Sequence, residues 1–323
     1  MKKFAVILGG VFSLGLFGCS AGGGGGSGGG QTQAGYTAVG QAMPGYVFSF
    51  SYPVYDAKSN KVWSIGGTTG SYQLCSISAN ASSDLSWNCE GRDKLGFKLS
   101  GYLLATDNNG HLFMFDSSNN STHLITYNTQ DGQFTSSTGT INNFQLHGKL
   151  NYYNGKLYSV VLADNQSGNT QLIEYTPSTG QTVVANSNLA NNLDGSGSTI
   201  SATGMMYDIN QKTPSQAIYQ SIANANQNGN FGSALDHMGL VFLDRATNNN
   251  MVYACVVGSV YSISTSANAN STWNNLGPLV THKDGNATYS YGCQTLTAGS
   301  NGYLYLFAGV SAGNNGQLYK RSV

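Results

Sequence analysis

A four-residue signature recurs six times along the 323-residue chain, and it constrains the fold more than any other feature. Each copy has Gly or Asn first, any residue second, an aliphatic residue or Met third, and an aromatic residue last. The aromatic residues are Trp63, Phe113, Tyr158, Tyr207, Tyr253 and Tyr305. Successive copies are 50, 45, 49, 46 and 52 residues apart. This regular period, with short apolar runs beside each copy, predicts a repeated unit of a few β-strands.

The first residue of the signature indicates a tight turn. In three copies it is the Gly of an Asn-Gly pair, at residues 109–110, 154–155 and 301–302. Asn-Gly favours positive φ at both central positions of a two-residue hairpin. We therefore expect each signature to join an inner strand to the next strand outward, with its aromatic residue packed between neighbouring units. Such units around a central channel are typical of a β-propeller.

The sequence predicts an all-β fold, a single six-bladed β-propeller over residues 35–323. Seven blades are the alternative, if residues 223–235 form a sheet of their own. The pattern Ser-Ile-Ser followed by Trp-Asn occurs at Ser76 and again at Ser262, 186 residues later, so units one and five are expected to be copies. Only 9% of the residues are charged and 43 are Gly. Abundant Gly, Asn, Ser and Thr disfavours helices and suits short strands joined by polar turns.

The sixth unit lacks a fourth strand of its own. Its predicted strands lie near residues 292–298, 303–309 and 317–321. Residues 36–41 form a short strand candidate that stands ahead of the first full unit. We expect this segment to pair with residues 317–321 and close the propeller, because closure removes an exposed sheet edge.

The first 34 residues have the composition of an export signal followed by a tether. Lys2 and Lys3 precede an apolar run of 14 residues, which is shorter than the roughly 20 needed to span a bilayer. Residues 1–18 are therefore predicted to be a signal peptide. Residues 19–34 are dominated by Gly after Cys19, and this composition predicts a flexible tether.

The signal ends at Leu16-Phe17-Gly18-Cys19, which resembles the lipobox of bacterial lipoproteins. In that family the cysteine thiol is acylated and the chain is cut just before it. The resemblance implies lipidation of Cys19 and a membrane-anchored protein. Ser20 stands where Asp commonly marks retention at the inner membrane. The resemblance therefore implies anchoring in the outer membrane, with the domain in the periplasm or on the cell surface.

Four further cysteines predict disulfide bonds, since an even number in an exported protein favours pairing. We expect Cys75 to bond to Cys89 across the third and fourth strands of blade one. Cys255 in blade five would then bond to Cys293 in blade six. The four cysteines contain no Cys-x-x-Cys pair, so neither a zinc site nor another metal or cofactor is expected.

No constellation of residues identifies a reaction. Weak candidates for chemistry are Asp107, Asp208, Asp236 and His237. An adjacent Asp-His pair at a channel mouth could transfer protons, and two suitably spaced carboxylates could hydrolyse a glycosidic bond. Asp56 and Asp244 lie at comparable strand ends. Aspartates at such positions commonly cap turns, so these residues are equally consistent with structural roles.

Two stretches resemble parts of known propeller repeats. Tyr55-Asp56 to Trp63-Ser64-Ile65-Gly66-Gly67 resembles a kelch-type repeat, in which a hydrophobic run leads into two glycines. Kelch propellers mostly bind proteins. Residues 266–273 resemble the Asp-box of sialidase-type propellers, with Asn268 in place of the Asp and Asn270 in place of the Gly. That box is structural, so the resemblance implies no activity.

The sequence therefore favours a binding or assembly module at the cell envelope, without catalysis and with a protein or glycan as its ligand. A polysaccharide hydrolase or lyase with an Asp/His site at the channel mouth is one alternative, and a purely structural envelope lipoprotein is another. The chain has no basic patch, so nucleic acid is not an expected partner. The propeller domain is expected to be monomeric.

Overall fold

A computed structural model of the chain shows an all-β protein whose main sheets form a ring of six small blades. The fold is a six-bladed β-propeller, as the sequence predicts. The structure describes residues 31–32, 35–45, 52–66, 72–90, 99–116, 122–141, 145–146, 149–162, 170–186, 197–209, 216–224, 227–235, 242–246, 250–256, 259–278, 280–284, 287–291, 293–308 and 316–323. Within these ranges no helix is long and apolar enough to cross a membrane.

The first three blades follow one another along the chain. Two short strands, β1 (Gln31–Thr32) and β2 (Tyr36–Val39), precede them. Blade 1 contains β3 (Val54–Asp56), β4 (Lys61–Gly66), β5 (Gln73–Ser78) and β6 (Asn88–Glu90). Blade 2 contains β7 (Leu99–Thr106), β8 (His111–Asp116), β9 (Thr122–Asn128) and β10 (Phe134–Ile141). Blade 3 contains β11 (Gln145–Leu146), β12 (Asn151–Tyr153), β13 (Lys156–Leu162), β14 (Thr170–Thr176) and β15 (Gln181–Asn186).

The other three blades complete the ring. Blade 4 contains β16 (Thr199–Ile200), β17 (Met205–Ile209), β18 (Ala217–Ser221) and β19 (Asn228–Phe231). Blade 5 contains β20 (Phe242–Ala246), β21 (Met251–Val256), β22 (Ser259–Ser264) and β23 (Asn274–Pro278). A hairpin of β24 (Val280–Asp284) and β25 (Ala287–Tyr291) follows. Blade 6 contains β26 (Cys293–Ala298), β27 (Tyr303–Ala308), β28 (Leu318–Ser322) and, as its fourth strand, β2.

The propeller closes as predicted. Strand β2 pairs antiparallel with β28, and the register runs from Tyr36 opposite Arg321 to Val39 opposite Leu318. The alternative of seven blades is excluded because β19, within residues 223–235, is the fourth strand of blade 4.

A three-stranded sheet stands outside the six blades, and it was not predicted from the sequence. Strands β24 and β25 form an insertion between blades 5 and 6, and β1 pairs with β24, with Gln31 opposite Thr281. Residues 31–32 lie in the segment predicted to be a flexible tether, so that segment ends in a strand. The pattern missed β1 because its two residues gain their conformation only from the partner strand.

Hydrophobic side chains fill the spaces between neighbouring blades. The described residues form six buried clusters, one at each blade–blade interface. In each blade the aliphatic residue of the signature packs toward the preceding blade and its aromatic residue packs toward the next blade. In blade 1, Val62 lies with Tyr305 of blade 6, whereas Trp63 lies with Leu112 of blade 2. All six aromatic residues are buried, which confirms their predicted place between units.

The first residue of every signature has the left-handed backbone conformation. These residues are Asn60, Gly110, Gly155, Gly204, Asn250 and Gly302, and their φ angles range from 51° to 98°. Such angles are strained for most side chains but accessible to Gly and tolerated by Asn. The alternation of Gly and Asn in the signature therefore reflects one backbone requirement.

The two-residue hairpin predicted at the Asn-Gly pairs forms in blade 3, where φ is 49° at Asn154 and 80° at Gly155. In blades 2 and 6 only the glycine of the pair has positive φ. The loops there are longer, as their closing hydrogen bonds show. The amide of Asp107 donates to the carbonyl of His111 in blade 2, and the amide of Gly299 donates to the carbonyl of Tyr303 in blade 6.

The two predicted disulfide bonds are present. Cys75 of β5 is bonded to its cross-strand partner Cys89 of β6, within blade 1. Cys255 of β21 is bonded to Cys293 of β26, so this bond joins blade 5 to blade 6. One disulfide bond therefore cross-links two strands of a single blade, and the other cross-links two neighbouring blades.

Candidate functional site

The six signature turns lie on one face of the propeller, together with the loops that connect third and fourth strands. In blade 5 the carbonyl of Asn250 accepts a hydrogen bond of 2.7 Å from the amide of Thr265, which follows the third strand. Equivalent bonds reach Asn60 from Ala79, and Gly204 from Ile222, both at 3.0 Å. We call this surface the signature face.

The inner strands enclose a small polar cavity at the end that leads to the signature face. Its volume is about 90 Å³, and residues from blades 1, 2, 3, 4 and 6 line it. The polar lining residues are Thr106, Asn108, Lys149, Asn151, Thr199 and Thr297. The residues that line the cavity therefore carry hydroxyl, amide and ammonium groups.

Lys149 is the functional candidate that the sequence analysis missed. It lies just before β12, lines the channel cavity and is only 5% exposed. Asn151 holds this segment in place, since its Nδ2 donates to the carbonyl of Lys149 at 3.2 Å and to Oγ of Ser198 at 3.1 Å. Fully buried lysines are rare in proteins. The local sequence gives no signal of this burial, which arises from the ring of inner strands.

Two tyrosines also line the channel cavity. Burial raises the pKa of Tyr55, and the nearby charge of Asp56 raises it further. Burial likewise raises the pKa of Tyr152, with a further contribution from Asp107. Both phenols therefore stay protonated well above neutral pH, and the hydroxyl of Tyr55 donates a hydrogen bond of 3.1 Å to Oδ1 of Asn60 in its own turn.

Asp107 lies in the turn of blade 2 beside the cavity, where it caps the loop and binds a histidine. Its Oδ1 accepts hydrogen bonds from the amides of Asn109, at 2.7 Å, and His111, at 3.0 Å. Its Oδ2 lies 2.7 Å from Nδ1 of His111. The sequence pattern indicates Asp107 but not its pairing with His111, because the pairing depends on the conformation of the loop.

The other predicted candidates do not join Asp107. Asp208 lies in β17 and is fully buried, so it is out of reach of a ligand. Asp236 and His237 lie outside the described residues. Asp244 lies in β20 opposite Tyr253. Asp208 therefore does not form an accessible pair of carboxylates with Asp107. The described residues contain no group of three His, Cys, Asp or Glu that could hold a metal ion.

Asp56 is a structural residue that joins two blades. It ends β3, is fully buried, and its carboxylate accepts hydrogen bonds from Ser59 in its own turn. It also accepts bonds from Thr106, Gly110 and Thr129 of blade 2, at 3.4, 3.1 and 3.1 Å. These donors compensate the burial of the charge.

A larger cavity, of about 370 Å³, lies in the cleft between blades 4 and 5. Tyr207, Tyr219 and Phe231 of blade 4 line one side, and residues 265–269 of blade 5 line the other. The hydroxyl of Tyr207 donates a bond of 3.2 Å to the carbonyl of Thr265, which links the two sides. We call this cavity the 4/5 cleft.

The interface between blades 4 and 5 has a counterpart between blades 6 and 1. Gln216 precedes the third strand of blade 4 and its side chain donates to the carbonyl of Gly232, just after the fourth strand. Gln317 occupies the same place in blade 6 and donates to the carbonyl of Gly40 at 2.9 Å. Both glycines have positive φ, 71° and 64°. The two interfaces are therefore built on the same plan.

The two interfaces differ at the third-strand position that lies opposite the aromatic residue of the signature. In blade 6 that position is Lys320, opposite the signature residue Tyr305. Its ammonium group donates to the carbonyl of Ala79 in blade 1 at 3.1 Å and lies 5.3 Å from the ring centroid of Tyr303. This side chain therefore bridges the space between blades 6 and 1.

In blade 4 the corresponding residue is Tyr219, opposite the signature residue Tyr207. Tyr219 lies over the backbone of its other cross-strand partner, Gly229, which has no side chain to displace the ring. Because Tyr219 does not bridge to blade 5 as Lys320 bridges to blade 1, the 4/5 cleft stays open.

The stretch that resembles an Asp-box forms the wall of the 4/5 cleft on blade 5. It connects β22 and β23, and Oδ1 of Asn268 accepts a hydrogen bond of 2.9 Å from the amide of Asn270. The amide of Ser271 bonds to the carbonyl of Asn268, as that of Leu85 bonds to the carbonyl of Ser82 in blade 1. The same turn therefore occurs in blades 1 and 5, which is consistent with a structural role.

Comparisons with known proteins support the fold. No family model matches the chain, and no curated protein matches it. A gluconolactonase from Xanthomonas campestris aligns with a TM-score of 0.55 at 9% identity, over 87% of this chain and 88% of its own. The structure of YjhT aligns with a TM-score of 0.51 at 11% identity, over 87% of this chain and 95% of its own. At these identities the likenesses show the propeller fold alone.

Proposed function

We propose that the protein is a lipid-anchored module of the cell envelope that binds a protein or glycan ligand without catalysis. The observation that carries the proposal is the pair of cavities on the signature face, the polar channel cavity and the 4/5 cleft. Ligand sites commonly combine apolar walls with a few polar groups in such concave places. Of the acidic candidates, Asp107 caps a turn and Asp208 is buried.

Anchoring through Cys19 places the propeller at a membrane in this proposal. The lipobox-like end of the signal and the Gly-rich segment after Cys19 support it. The Cys19→Ala variant should lose incorporation of a fatty-acid probe and should no longer sediment with membranes. Unchanged labelling of the variant would exclude lipidation at this residue.

Ligand capture by the full-length chain tests the binding function. The protein would be purified in a detergent without a sugar headgroup and presented to envelope extracts and to a glycan array. A saturable ligand that is recovered unmodified supports a binding module. Turnover of a polysaccharide, abolished by Asp236→Asn or His237→Ala, would contradict it.

A hydrolase or lyase is the second candidate, and one observation favours it. The pair of Asp107 and His111 lies in the turn whose Thr106 and Asn108 line the channel cavity, and an Asp-oriented imidazole can act as a general base. The structural likeness to a gluconolactonase makes lactones worth including beside polysaccharides as test substrates. Activity that is lost in His111→Ala but kept in His123→Ala would establish this alternative.

A further inference from the structure

We propose that the 4/5 cleft binds one uncharged sugar residue of a glycan, with Tyr219 as its stacking platform. The proposal rests on the binding function proposed above and specifies its ligand class. It places Asn230 of blade 4 and Asn268 of blade 5 as hydrogen-bonding partners on the two walls of the cleft.

The size of the cleft fits a ligand of this class. Its volume of about 370 Å³ lies within the range of about 300–1,000 Å³ that is usual for small-molecule sites. The channel cavity, at about 90 Å³, is much smaller. A single ring of a longer chain can enter the 4/5 cleft while the rest of the chain runs over the signature face.

The lining of the cleft selects an uncharged ligand. Its apolar part comes from Met205, Tyr207, Tyr219 and Phe231, and its polar part from amides and hydroxyls. No Asp, Glu, Lys, Arg or His is among the described residues that line it. A charged ligand would lose hydration there without gaining a partner of opposite charge.

Three polar groups at the cleft are available to a ligand. The hydroxyl of Tyr219, the side-chain amide of Asn230 and Nδ2 of Asn268 make no hydrogen bond with another residue in the described part of the chain. Sugar hydroxyls both donate and accept, so they can satisfy a phenol and two amides together. An apolar peptide side chain would bury these groups without partners, at a cost in affinity. The chemistry therefore favours a sugar over a peptide.

The interface between blades 6 and 1 explains why only one of these two similar interfaces has an open cleft. Lys320 bridges the space between blades 6 and 1, where Tyr219 leaves it open between blades 4 and 5. A lysine at position 219 has the carbonyl of Thr265 as its equivalent acceptor, because Thr265 follows β22 as Ala79 follows β5. Tyr219→Lys should therefore close the 4/5 cleft with a residue that this fold already accommodates.

Calorimetric titration of the full-length chain tests the proposal, again in a detergent without a sugar headgroup. The probes are uncharged hexasaccharides of glucose, galactose, mannose and N-acetylglucosamine, with a polygalacturonate oligomer as the charged comparison. We expect at least one uncharged probe to bind and the charged one not to bind. Tyr219→Ala should weaken binding about tenfold or more, because it removes the stacking face, and Tyr219→Phe should weaken it less.

Two further variants separate the cleft from general damage to the fold. Tyr219→Lys should abolish sugar binding, whereas Lys320→Ala, at the matched position of the other interface, should leave it unchanged. Thermal unfolding of each variant shows whether the propeller is intact. If Tyr219→Ala does not fold, Asn230→Ala provides the test, with an expected loss of about fivefold.

The outcomes distinguish the cleft from the binding function itself. Sugar binding that survives Tyr219→Lys, or binding of only charged oligomers or peptides, would overturn the cleft proposal. If an envelope ligand is captured equally by the parent chain and Tyr219→Lys, the cleft proposal fails and the binding function stands. If neither sugar nor envelope ligand binds, both fail.

Discussion

The backbone amide of Gly110 in blade 2 donates a hydrogen bond of 3.1 Å to Oδ1 of Asp56 in blade 1. Gly110 is the first residue of its signature, so the turn that defines blade 2 is tied to the carboxylate that ends the inner strand of blade 1. Thr106 and Thr129 bind the same carboxylate, at 3.4 and 3.1 Å. A single buried anion therefore fixes the position of one blade relative to the next.

Removing the carboxylate of Asp56 should strongly lower the stability of the folded protein. Asp56→Ala leaves buried donors from two blades without an acceptor, so we expect the free energy of unfolding to fall by about 3 kcal/mol or more. Asp107→Ala is the control, since the hydrogen bonds of Asp107 to described residues all lie within its own loop, and a loss of about 1 kcal/mol is expected. Urea denaturation of both variants measures the difference. Equal losses of stability in the two variants would show that the hydrogen bonds between blades contribute no more than those within a loop.

The closing strand should contribute more to stability than the segment before it. Deleting residues 35–42 removes β2, whose Tyr36 and Val39 are buried, and exposes the edge of β28. At about 2 kcal/mol for each buried side chain, the loss is about 4 kcal/mol, or roughly 10 °C in melting temperature. Deleting residues 21–30 should leave the melting temperature unchanged. Similar melting temperatures for the two deletions would contradict the role of β2 in closure.

The two disulfide bonds should differ in their contribution to stability. Cys255 and Cys293 are separated by 38 residues, and Cys75 and Cys89 by 14. In the chain-entropy description these loops correspond to about 4 and about 3 kcal/mol. We expect the Cys255→Ser, Cys293→Ser double variant to lose more stability than the Cys75→Ser, Cys89→Ser double variant under chemical denaturation. The opposite order would indicate that the bond within blade 1 is the more important.

Stability should fall as the pH rises above 10. Burial raises the pKa of Tyr305 to about 12, although the hydrogen bond from Asn301 opposes this rise. Below pH 10 the phenol is protonated in both states. Between pH 10 and 12 the unfolded chain releases a proton that the folded chain keeps, so the free energy of unfolding decreases. In the Tyr305→Phe variant the free energy of unfolding should decrease less steeply with pH, and the difference in slope should correspond to up to about one proton. An unchanged slope in denaturation series at pH 9–12 would refute this assignment.

The ring of blades can be predicted from the sequence because the repeated signature reflects a local requirement, a residue with positive φ in each turn. Positive φ at Asn60 and Gly155 and the burial of Trp63 and Tyr158 follow from residue types within four positions of one another. The closing strand and the disulfide bonds follow from counting strands and cysteines once the period is known. These predictions need little knowledge of contacts between distant residues.

The candidate site depends on distant contacts, so the sequence pattern misses most of it. The burial of Lys149 results from strands of five different blades around one cavity. Tyr219 and Lys320 lie at one position of the repeat, and only the structure shows that one leaves a cleft and the other bridges it. The pairing of Asp107 with His111 requires a loop longer than the predicted two-residue hairpin.

Strand β2 gives the protein an unusual order of assembly. Val39 pairs with Leu318, and these residues are separated by most of the chain. Strand β2 is synthesised before all six blades but has no partner until the last blade exists. Long-range pairing of this kind is slow and leaves unpaired edges exposed meanwhile. Ring closure must therefore wait until β28 has been synthesised, and a chain that stops before β28 has no partner for β2.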